Sequence, residues 1–332
     1  MPISTEDSGR PVRVVSIGWR PGLPLDKIAL LIEGEGSRGA DLIVLPETCR
    51  GQAGHDPADR GTPVPITMET LDGETIRMAA ALARKHRTYI VCPIDRAEGA
   101  RRLNSAVVLD RNGRIACIYD KIFPFPGQEF AVEPAVQPGN SVQVFSADFG
   151  KVGLAICFDV NRPFLWRRLA EQGAELVVWP SAYSGGRAVQ AHAINYHYYI
   201  VTSTWFPDCH VYDLDGEELM HESSNRQDVN VTRVALDLDR CLFHFDYNHP
   251  GKMETLLRDH AEDLLVEKYL PLEAWFLLRA RRPGVSAREL AKQYGIEELR
   301  HYISRSGELI RTRREASLDE HIFEMEAVPA GK

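Results

Sequence analysis

Apolar and polar positions divide the chain, up to about residue 240, into strand-like and helix-like segments that alternate. Short apolar runs bounded by turn residues, such as 41–45, predict strands covered on both faces, as in parallel βαβ units. Apolar residues three and four positions apart predict amphipathic helices between them. The predicted strands lie at 13–19, 41–47, 89–94, 103–109, 114–119, 151–156, 175–180, 200–205 and 229–237, and the predicted helices at 25–32, 68–86, 164–172 and 188–199.

Turn signals add hairpins to this alternation. Asn112 and Gly113 form a pair typical of a hairpin turn between the strands at 103–109 and 114–119. Further hairpins are predicted around 148–150 and 213–216. Parallel units with inserted hairpins predict an α/β fold in which mixed sheets are layered with helices.

The sequence changes character beyond about residue 247. Leucines at helical spacing, beginning with Leu256 and Leu257, predict a helix over 253–278, and two shorter helices are expected at 286–294 and 296–303. We therefore predict an α/β domain over residues 1–247 and a helical C-terminal extension over 248–332.

The composition restricts the class of protein. With 332 residues, of which 44% are hydrophobic and 26% charged, the chain can form one large domain with a substantial core and an appendage. Its net charge of −8 disfavours nucleic acid or an anionic membrane as the main partner. The chain contains no apolar run of membrane-spanning length, and its first residues lack the pattern of a signal peptide, so a cytoplasmic protein is predicted.

Cysteine and histidine spacing does not predict a metal site. The six cysteines are scattered without a Cys-x-x-Cys pair, which argues against a disulfide framework or a four-cysteine zinc site. Cys209 and His210, taken with His221, lack the second spaced ligand pair of a zinc motif. We therefore expect neither a metal nor a cofactor.

Three reactive side chains lie at the ends of apolar strands, namely Glu47, Lys121 and Cys157. Catalytic groups of α/β sheets gather at the carboxyl ends of strands. A thiol with the ordinary pKa of about 8.5 needs a base to attack an amide carbon at neutral pH, and a glutamate can serve as that base. An ammonium can offset the charge that develops on the substrate oxygen. Each residue alone has a structural explanation, but the three together predict a cysteine hydrolase.

At these residues the sequence resembles the nitrilase superfamily of carbon-nitrogen hydrolases, over about 12–240. The matching segments, in the family's order, are Leu45-Pro46-Glu47, Tyr119-Asp120-Lys121-Ile122, Ile156-Cys157-Phe158-Asp159 and 173–182. The resemblance implies a four-layer α-β-β-α sandwich of the nitrilase type, with Glu47 as general base, Lys121 as oxyanion stabiliser and Cys157 as nucleophile. It also implies a second glutamate near the lysine, which we assign to Glu129, with Glu133 as the competing candidate.

The sequence departs from the family pattern after the nucleophile, where Asn161 replaces a common arginine and Phe164 a common glutamate. These departures leave the triad intact but remove the basis for a substrate assignment from the better-known branches. In the family, substrate recognition lies in loops after the strands. The predicted substrate-binding residues are Phe158, whose backbone N–H is a candidate oxyanion donor, Trp179, Tyr183, Trp205, His55 and Gln52. Both tryptophans are equally compatible with a place in the core.

The predicted function is cofactor-free hydrolysis of a linear amide or N-carbamoyl compound through a thioester on Cys157, with a nitrile as the alternative substrate. The resemblance implies a homodimer or larger homo-oligomer, with the C-terminal extension used for oligomerisation or for covering the active site. A rival of another class is a catalytically idle scaffold or DNA-linked regulator, because 287–296 is typical of a helix-turn-helix element flanked by arginines. The acidic net charge and the interleaved Glu289 and Glu297 disfavour this rival, so no nucleic acid is expected.

Overall fold

The computed structural model describes residues 9–51, 68–126, 133, 135–206, 208–223, 229–245, 247 and 250–313. The strands are β1 Pro11–Trp19, β2 Leu42–Val44, β3 Tyr89–Glu98, β4 Arg101–Leu109, β5 Ile115–Asp120, β6 Val144–Ser146, β7 Lys151–Leu154, β8 Leu176–Ser181, β9 Tyr199–Thr204, β10 Asp208–Tyr212, β11 Glu218–Ser223, β12 Val229–Asp237, β13 Cys241–His244, β14 Leu264–Leu270 and β15 Trp275–Ala280. The helices are α1 Leu25–Gly36, α2 Glu74–His86, α3 Pro163–Glu171, α4 Gly186–Tyr196, α5 Lys252–Asp259, α6 Ala287–Gln293 and α7 Leu299–Thr312.

Two six-stranded mixed sheets form the centre of the molecule. The first sheet has the order β12-β1-β2-β3-β4-β5 and the second has the order β11-β10-β9-β8-β7-β6. In each sheet three neighbouring strands are parallel, and the outer strands are antiparallel to their neighbours. Parallel strands need helical crossovers, which explains why the helices α1 to α4 alternate with the strands in this part of the sequence.

Helices cover the outer faces of both sheets. Ile28 of α1 and Ala79 of α2 belong to the core cluster that includes Ile43 and Ile90 of the first sheet. On the other side, Leu165, Trp166 and Leu169 of α3 and Val189 of α4 pack in the large cluster that also fills the space between the sheets. Two serine hydroxyls join the sheets, since Ser16 donates to the Thr202 carbonyl (2.5 Å) and Ser203 to the Ile17 carbonyl (2.7 Å). The predicted four-layer α-β-β-α sandwich is confirmed.

The predicted Asn-Gly hairpin is present between β4 and β5. Gly113 has a φ of +73°, and a Cβ at this position would lie 2.3 Å from the Ala80 carbonyl oxygen. Glycine is therefore required here both by the left-handed backbone and by the close approach to α2. Because β4 is antiparallel to both β3 and β5, β5 runs in the same direction as β3. Lys121 follows the carboxyl end of β5.

The C-terminal region differs from the sequence prediction. A helix over 253–278 was expected, but α5 ends at Asp259 and is followed by the antiparallel hairpin of β14 and β15, so this prediction is wrong. The hairpin joins β13 to form a third sheet, in the order β13-β15-β14. Phe243, Leu256, Leu264, Phe276 and Leu278 pack together in its core, and the burial of these side chains outweighs the helical propensity of the leucines.

The third sheet is fastened to the second sheet by buried ion pairs. We call Asp213, Arg240 and Lys268 the Arg240 network. Arg240 donates to both carboxylate oxygens of Asp213 (2.6 and 2.9 Å) and Lys268 of β14 donates to Asp213 Oδ2 (2.7 Å). Since Arg240 and β13 precede residue 248, contacts of the third sheet begin before the boundary that was predicted from composition.

The segment proposed to read DNA, 287–296, contains α6 and ends before α7. Ala287, Ala291 and Ile296 pack in the core of the third sheet. Arg288 donates to both carboxylate oxygens of Glu298 (2.7 and 2.8 Å) and to the Arg240 carbonyl (3.0 Å). Its charge is therefore paired with a carboxylate of the same chain. Among the described residues, no helix combines the length and the apolar character needed to cross a membrane.

Candidate active site

The three predicted catalytic residues meet at the carboxyl ends of strands from both sheets. Glu47 follows β2 and Lys121 follows β5 of the first sheet, and Cys157 follows β7 of the second. All three side chains are buried, with exposed fractions of 1% for Glu47 and Lys121 and 8% for Cys157. They line one cavity of about 320 Å³. The sequence order of the strands therefore brings residues more than 100 positions apart into a single site.

Lys121 is held between two buried carboxylates. Its Nζ lies 2.8 Å from Glu47 Oε1 and 2.8 Å from Glu133 Oε2. Asn104 of β4 joins the same two glutamates, because its Nδ2 donates to Glu47 Oε1 (2.8 Å) and to Glu133 Oε1 (2.6 Å). We call Glu47, Asn104, Lys121 and Glu133 the active-site network. It fixes the ammonium beside the nucleophile and satisfies one oxygen of Glu47.

Glu133 occupies the place that the sequence analysis assigned to a second glutamate. It was the competing candidate, and Glu129 lies outside the described residues. The backbone N–H of Phe125 also donates to Glu133, so this carboxylate ties the loop after Lys121 to the ammonium. Asn104 was missed by the sequence analysis. Its signal is weak, since it is one of several polar residues in the first half of β4, which also contains Arg101, Arg102 and Ser105.

Cys157 begins a short 3₁₀ helix, Cys157–Asn161, with a φ of +45°. A left-handed backbone is strained for a residue with a Cβ, and such strain costs about 1–3 kcal/mol and is typical of functional positions. Trp179 stabilises this turn, because its Nε1 donates to the Cys157 carbonyl (3.1 Å). Phe158 is in the first turn of the 3₁₀ helix, where backbone N–H groups have no acceptor within the helix itself.

The backbone at Glu47 is held in a similar way. Thr48, the next residue, is buried and has a φ of +39°. The indole Nε1 of Trp205, which follows β9, donates to the Glu47 carbonyl. Each of these two strained turns thus receives a hydrogen bond from a buried tryptophan of the second sheet or its strand ends.

Burial controls the protonation of the site. Burial, and next to it the charge of Glu47, raises the pKa of the Cys157 thiol to about 12, against the opposing effect of Lys121. Burial also raises the pKa of Glu47, an effect that the Lys121 ammonium opposes. Burial alone would lower the pKa of Lys121, but Glu47, Cys157 and Glu133 keep it raised above its usual value. The resting site therefore contains a neutral thiol beside a charged lysine and a carboxylate that binds protons more readily than usual.

One oxygen of Glu47 is available for proton transfer. Oε1 accepts from Lys121 and Asn104, whereas Oε2 is buried without a well-aligned hydrogen-bond partner among the described residues. A buried carboxylate oxygen without a donor is costly, and such atoms are concentrated at functional sites. This oxygen is therefore free to take a proton from a thiol or a water in the cavity.

Asp159 accepts hydrogen bonds from the segments on both sides of the site. The sequence analysis named it only as part of a motif. Its Oδ2 accepts from the Tyr119 hydroxyl (2.7 Å) and the Ile156 N–H (2.8 Å), and its Oδ1 accepts from the Phe123 N–H (3.0 Å). Burial raises the pKa of Asp159 to about 6. This carboxylate connects the strand end that carries Lys121 to the turn that carries Cys157.

The remaining walls of the cavity are mostly aromatic. Phe125, Phe158, Tyr183 and Trp205 line it, together with Asn161 and Ala182. Phe125 and Phe158 pack edge to face with ring centroids 5.4 Å apart. The predicted binding residues Phe158, Tyr183 and Trp205 thus lie in the wall, and Asn161, identified from the sequence as a departure, lines it as well.

Trp179 has a different position from the other predicted binding residues. It is fully buried and lies behind the cavity, with its ring edge to face against Tyr183 at 5.6 Å. Its contacts support the nucleophile turn and the wall rather than the cavity surface. His55 and Gln52, also predicted to bind substrate, lie outside the described residues.

Two groups of potential metal ligands lie outside the cavity in the described residues. Asp213, Asp215 and Glu217 approach one another closely, but all three bind the ammonium of Lys268. The other group is Asp208, His210 and His221 on β10 and β11. The cavity itself presents a thiol, two carboxylates and an ammonium, a set suited to covalent and acid-base chemistry on a polarised carbon.

The sequence is similar to those of proteins that act on carbon-nitrogen bonds. A nitrilase of Pyrococcus abyssi is 32% identical over 186 residues, which cover 55% of this chain and 69% of the nitrilase. An omega-amidase of Xenopus laevis is 26% identical over 166 residues, which cover 48% of this chain and 58% of the omega-amidase. The matched regions therefore leave a substantial part of each relative, and of this chain, without a counterpart.

Solved structures show the same fold. An amidase from Nesterenkonia sp. superimposes with a TM-score of 0.57 at 22% identity, covering 70% of this chain and 91% of the amidase. A carbon-nitrogen hydrolase from Helicobacter pylori G27 superimposes with a TM-score of 0.57 at 19% identity, covering 70% of this chain and 90% of the hydrolase. The family profile described as carbon-nitrogen hydrolase matches residues 22–241, the part that contains every strand of the two six-stranded sheets except β1, and all the residues that line the cavity. This chain belongs to the carbon-nitrogen hydrolase family, and so to the nitrilase superfamily.

Proposed function

We propose that this protein hydrolyses the carbon-nitrogen bond of a small linear amide or N-carbamoyl compound through a thioester on Cys157. The observation that carries this proposal is the arrangement of Glu47, Lys121 and Cys157 around one cavity, with Lys121 held by two buried carboxylates. The names of the relatives, a nitrilase and an omega-amidase, are consistent with this class of reaction.

Acylation begins from the neutral thiol, because burial raises the pKa of Cys157 to about 12. Oε2 of Glu47 takes the thiol proton while Sγ forms a bond to the substrate carbon, whose carbonyl electrons move to oxygen. The Lys121 ammonium and the Phe158 N–H stabilise the resulting oxyanion. When this intermediate collapses, the C–N bond breaks and Glu47 returns the proton to the leaving nitrogen, which departs as ammonia or an amine.

Deacylation uses the same groups in the reverse sense. Glu47 takes a proton from a water molecule as the water oxygen bonds to the thioester carbon. Lys121 again offsets the negative charge on the oxyanion. Breakage of the C–S bond releases the acid, and the proton returns to the Cys157 sulfur. Because the proton moves twice onto and off one carboxylate, the raised pKa of Glu47 favours both halves of the cycle.

The walls of the cavity favour an apolar acyl group. Phe125, Phe158 and Trp205 present aromatic surface next to the nucleophile, and Asn161 supplies an amide. Lys121 is the only basic residue among the described residues that line the cavity, and its ammonium is already paired with Glu47 and Glu133. A neutral amide with an aliphatic or aromatic acyl chain therefore fits this lining better than an amide whose acyl chain carries a carboxylate.

A nitrile is a second candidate substrate, because the Pyrococcus abyssi relative is named a nitrilase. The same thiol, base and ammonium serve for attack on a nitrile carbon, with the developing negative charge on nitrogen. Amides and nitriles are therefore tested side by side.

The test is ammonia release from a panel of linear amides, N-carbamoyl compounds and nitriles, with intact-mass detection of acyl adducts. The wild type is expected to release ammonia and to gain the mass of an acyl group on Cys157. Cys157→Ala is expected to release none, since the nucleophile is absent. Cys117→Ala is the matched control, because Cys117 is half-buried, lies outside the cavity and should leave release unchanged. Release at the wild-type rate by Cys157→Ala contradicts the proposal.

We also propose that the protein is a homo-oligomer. The helix α7 exposes Ile303, Leu309 and Ile310, with exposed fractions of 51%, 42% and 58%, and clustered exposed apolar residues are typical of interfaces. Light scattering of the eluting protein should give at least twice the mass of the 37.3 kDa chain. A monomer mass that persists at high protein concentration contradicts this expectation.

A further inference from the structure

The hairpin of β10 and β11 brings two histidines and a carboxylate onto one face of the second sheet. His210 and His221 are direct cross-strand partners in the antiparallel register. Asp208 is two residues before His210 on the same strand, so its side chain projects from the same face. Cys209 projects from the opposite face, where its Sγ lies close to Gly18 of β1. The cluster therefore consists of Asp208, His210 and His221, without the neighbouring thiol.

The three side chains already approach the spacing of metal ligands. Oδ1 of Asp208 lies 3.3 Å from His210 Nε2 and also contacts His221 Nε2, and the three ligand atoms are all within 4.8 Å of one another. Ligands at about 2.0–2.1 Å from a tetrahedral zinc ion are roughly 3.4 Å apart. The Asp208–His210 separation matches this value. His221 and Asp208 are partly exposed, so their shorter contact is free to open around an ion.

The hydrogen bonding of His210 points to a missing cation. Its Nδ1 pairs with Glu218, which places the proton on Nδ1 and leaves the Nε2 lone pair directed toward Asp208. His210 is 7% exposed, and its Nε2 is buried without a hydrogen-bond partner among the described residues. Two acceptors, a ring nitrogen and a carboxylate oxygen, therefore face each other at 3.3 Å. A cation between them removes this repulsion.

The rings of His210 and His221 stack with centroids 4.1 Å apart, so both imidazoles lie next to Asp208. Two imidazoles with the carboxylates of Asp208 and Glu218 balance the charge of a divalent ion. A histidine that donates its second ring N–H to a carboxylate is also the common arrangement around zinc, which is the role that Glu218 has here.

We propose that Asp208, His210 and His221 form a binding site for a divalent transition metal ion, with Zn²⁺ as the best fit, and that Glu218 orients His210. Imidazole and carboxylate ligands in a tetrahedral arrangement suit Zn²⁺ and not Mg²⁺ or Ca²⁺, which prefer oxygen ligands alone. A water could supply a fourth ligand, since the side chains of His221 and Asp208 are 40% and 28% exposed. The site is distinct from the cavity, whose lining includes none of these residues.

A metal ion at this position would join the two strands of the hairpin, which lies next to a wall of the active site. The Thr204 hydroxyl, at the end of β9, donates to the Asp208 carbonyl (3.2 Å), and the next residue is Trp205 of the cavity wall. Since metal binds the folded hairpin and not the unfolded chain, Zn²⁺ should raise the thermal unfolding temperature.

The test measures Zn²⁺ binding to the full chain by equilibrium dialysis after removal of metal with a chelator, and Co²⁺ binding by visible absorption. We expect one equivalent of Zn²⁺ and a tetrahedral Co²⁺ spectrum in the wild type. His221→Ala, a change at a partly exposed side chain, should weaken Zn²⁺ binding by about 100-fold or more and abolish the Co²⁺ spectrum. Mg²⁺ should not compete with Zn²⁺.

Two control variants separate this site from other zinc ligands. Cys157→Ser removes the active-site thiol, and His260→Ala removes a surface histidine that pairs with Asp263 at 3.0 Å. Both should bind Zn²⁺ like the wild type, and circular dichroism should confirm that His221→Ala is folded. The proposal is overturned if the wild type binds no zinc, if His221→Ala binds it equally well, or if Cys157→Ser abolishes binding.

Discussion

The active-site network and the Arg240 network are both clusters of buried charges, yet they differ in how completely their charges are paired. Asp213 has no exposed surface and receives three hydrogen bonds from Arg240 and Lys268. Although burial opposes its ionisation, these cations lower the pKa of Asp213. In the active-site network two carboxylates share one ammonium, and Oε2 of Glu47 is left without a well-aligned partner in the described part of the chain.

This difference separates a structural cluster from a reactive one. In the Arg240 network every described contact stabilises one fixed charge state and joins the third sheet to the second. In the active-site network burial and Glu133 raise the pKa of Glu47, while Lys121 opposes that rise. A proton can therefore move onto and off Glu47 at small cost. Substitutions in the two networks should consequently affect different measurements.

The largest expected effect is on turnover, from Glu47→Gln. An amide has nearly the shape of the carboxylate but cannot take a proton, so kcat should fall by about 10²–10⁴-fold. The free energy of unfolding should change by less than about 2 kcal/mol, because Lys121 keeps Glu133 as its partner. Glu98→Gln, at a carboxylate that is 48% exposed, is the control for loss of a carboxylate and should keep wild-type turnover. Wild-type turnover in Glu47→Gln would remove Glu47 from the mechanism.

The next effect is on stability, from Arg240→Ala. This change leaves the Asp213 carboxylate buried without its bidentate partner, so the free energy of unfolding should fall by about 3–5 kcal/mol. Turnover per folded molecule should stay close to that of the wild type, because Arg240 does not line the cavity. Urea unfolding measures the first quantity, and an assay well below the unfolding transition measures the second. Arg168→Ala, at an exposed pair with Glu171, should cost less than about 1 kcal/mol. Equal stability of the two variants would contradict the comparison.

The sequence predicts much of the first network and little of the second. Apolar runs locate the strands that end at Glu47, Lys121 and Cys157, because a strand covered on both faces has a continuous apolar pattern. The third sheet was not predicted, since Leu264–Leu270 has apolar residues at spacings compatible with a helix. Its strand conformation depends on pairing with β15, and through it with β13, which a local pattern does not contain.

Within the site, the residues that the sequence did not identify act through long-range contacts. Asn104 interacts with Glu47 across 57 positions and with Glu133 across 29. Glu133 and Glu129 are both glutamates in one Pro/Gly-containing loop, and only the path of that loop decides which carboxylate faces Lys121. His210 and His221 were considered together with Cys209 and set aside as a metal site, because sequence spacing does not show that hairpin register places the two histidines side by side.

A smaller effect on turnover is expected from Asn104→Ala, which tests the connection between the two glutamates. Loss of hydrogen bonds to charged groups costs about 1.5–3 kcal/mol each, so kcat should fall by about 10–100-fold if part of that loss appears in the transition state. KM should change less, because Asn104 does not line the cavity. Asn112→Ala, in the β4–β5 turn, is the matched control and should leave both parameters unchanged. An unchanged kcat in Asn104→Ala would show that Lys121 and Glu47 position each other without it.

The smallest expected effect has the opposite direction from the first and concerns the reactivity of the thiol itself. Burial, and next to it the charge of Glu47, raises the pKa of Cys157 to about 12. The thiolate fraction, and with it the rate of alkylation by iodoacetamide, should therefore rise about tenfold per pH unit between pH 7 and 10 without a plateau.

Glu47→Gln removes the negative charge that opposes ionisation of the thiol. The pKa of Cys157 should therefore be lower in this variant, and alkylation at pH 8 should be about tenfold faster, although turnover falls. The Cys157→Ala variant gives the background rate from the other cysteines. Slower alkylation in Glu47→Gln, or a plateau below pH 8 in the wild type, would mean that the resting nucleophile is already a thiolate paired with Lys121, and Glu47 would then be needed for the leaving group and the water rather than for the thiol.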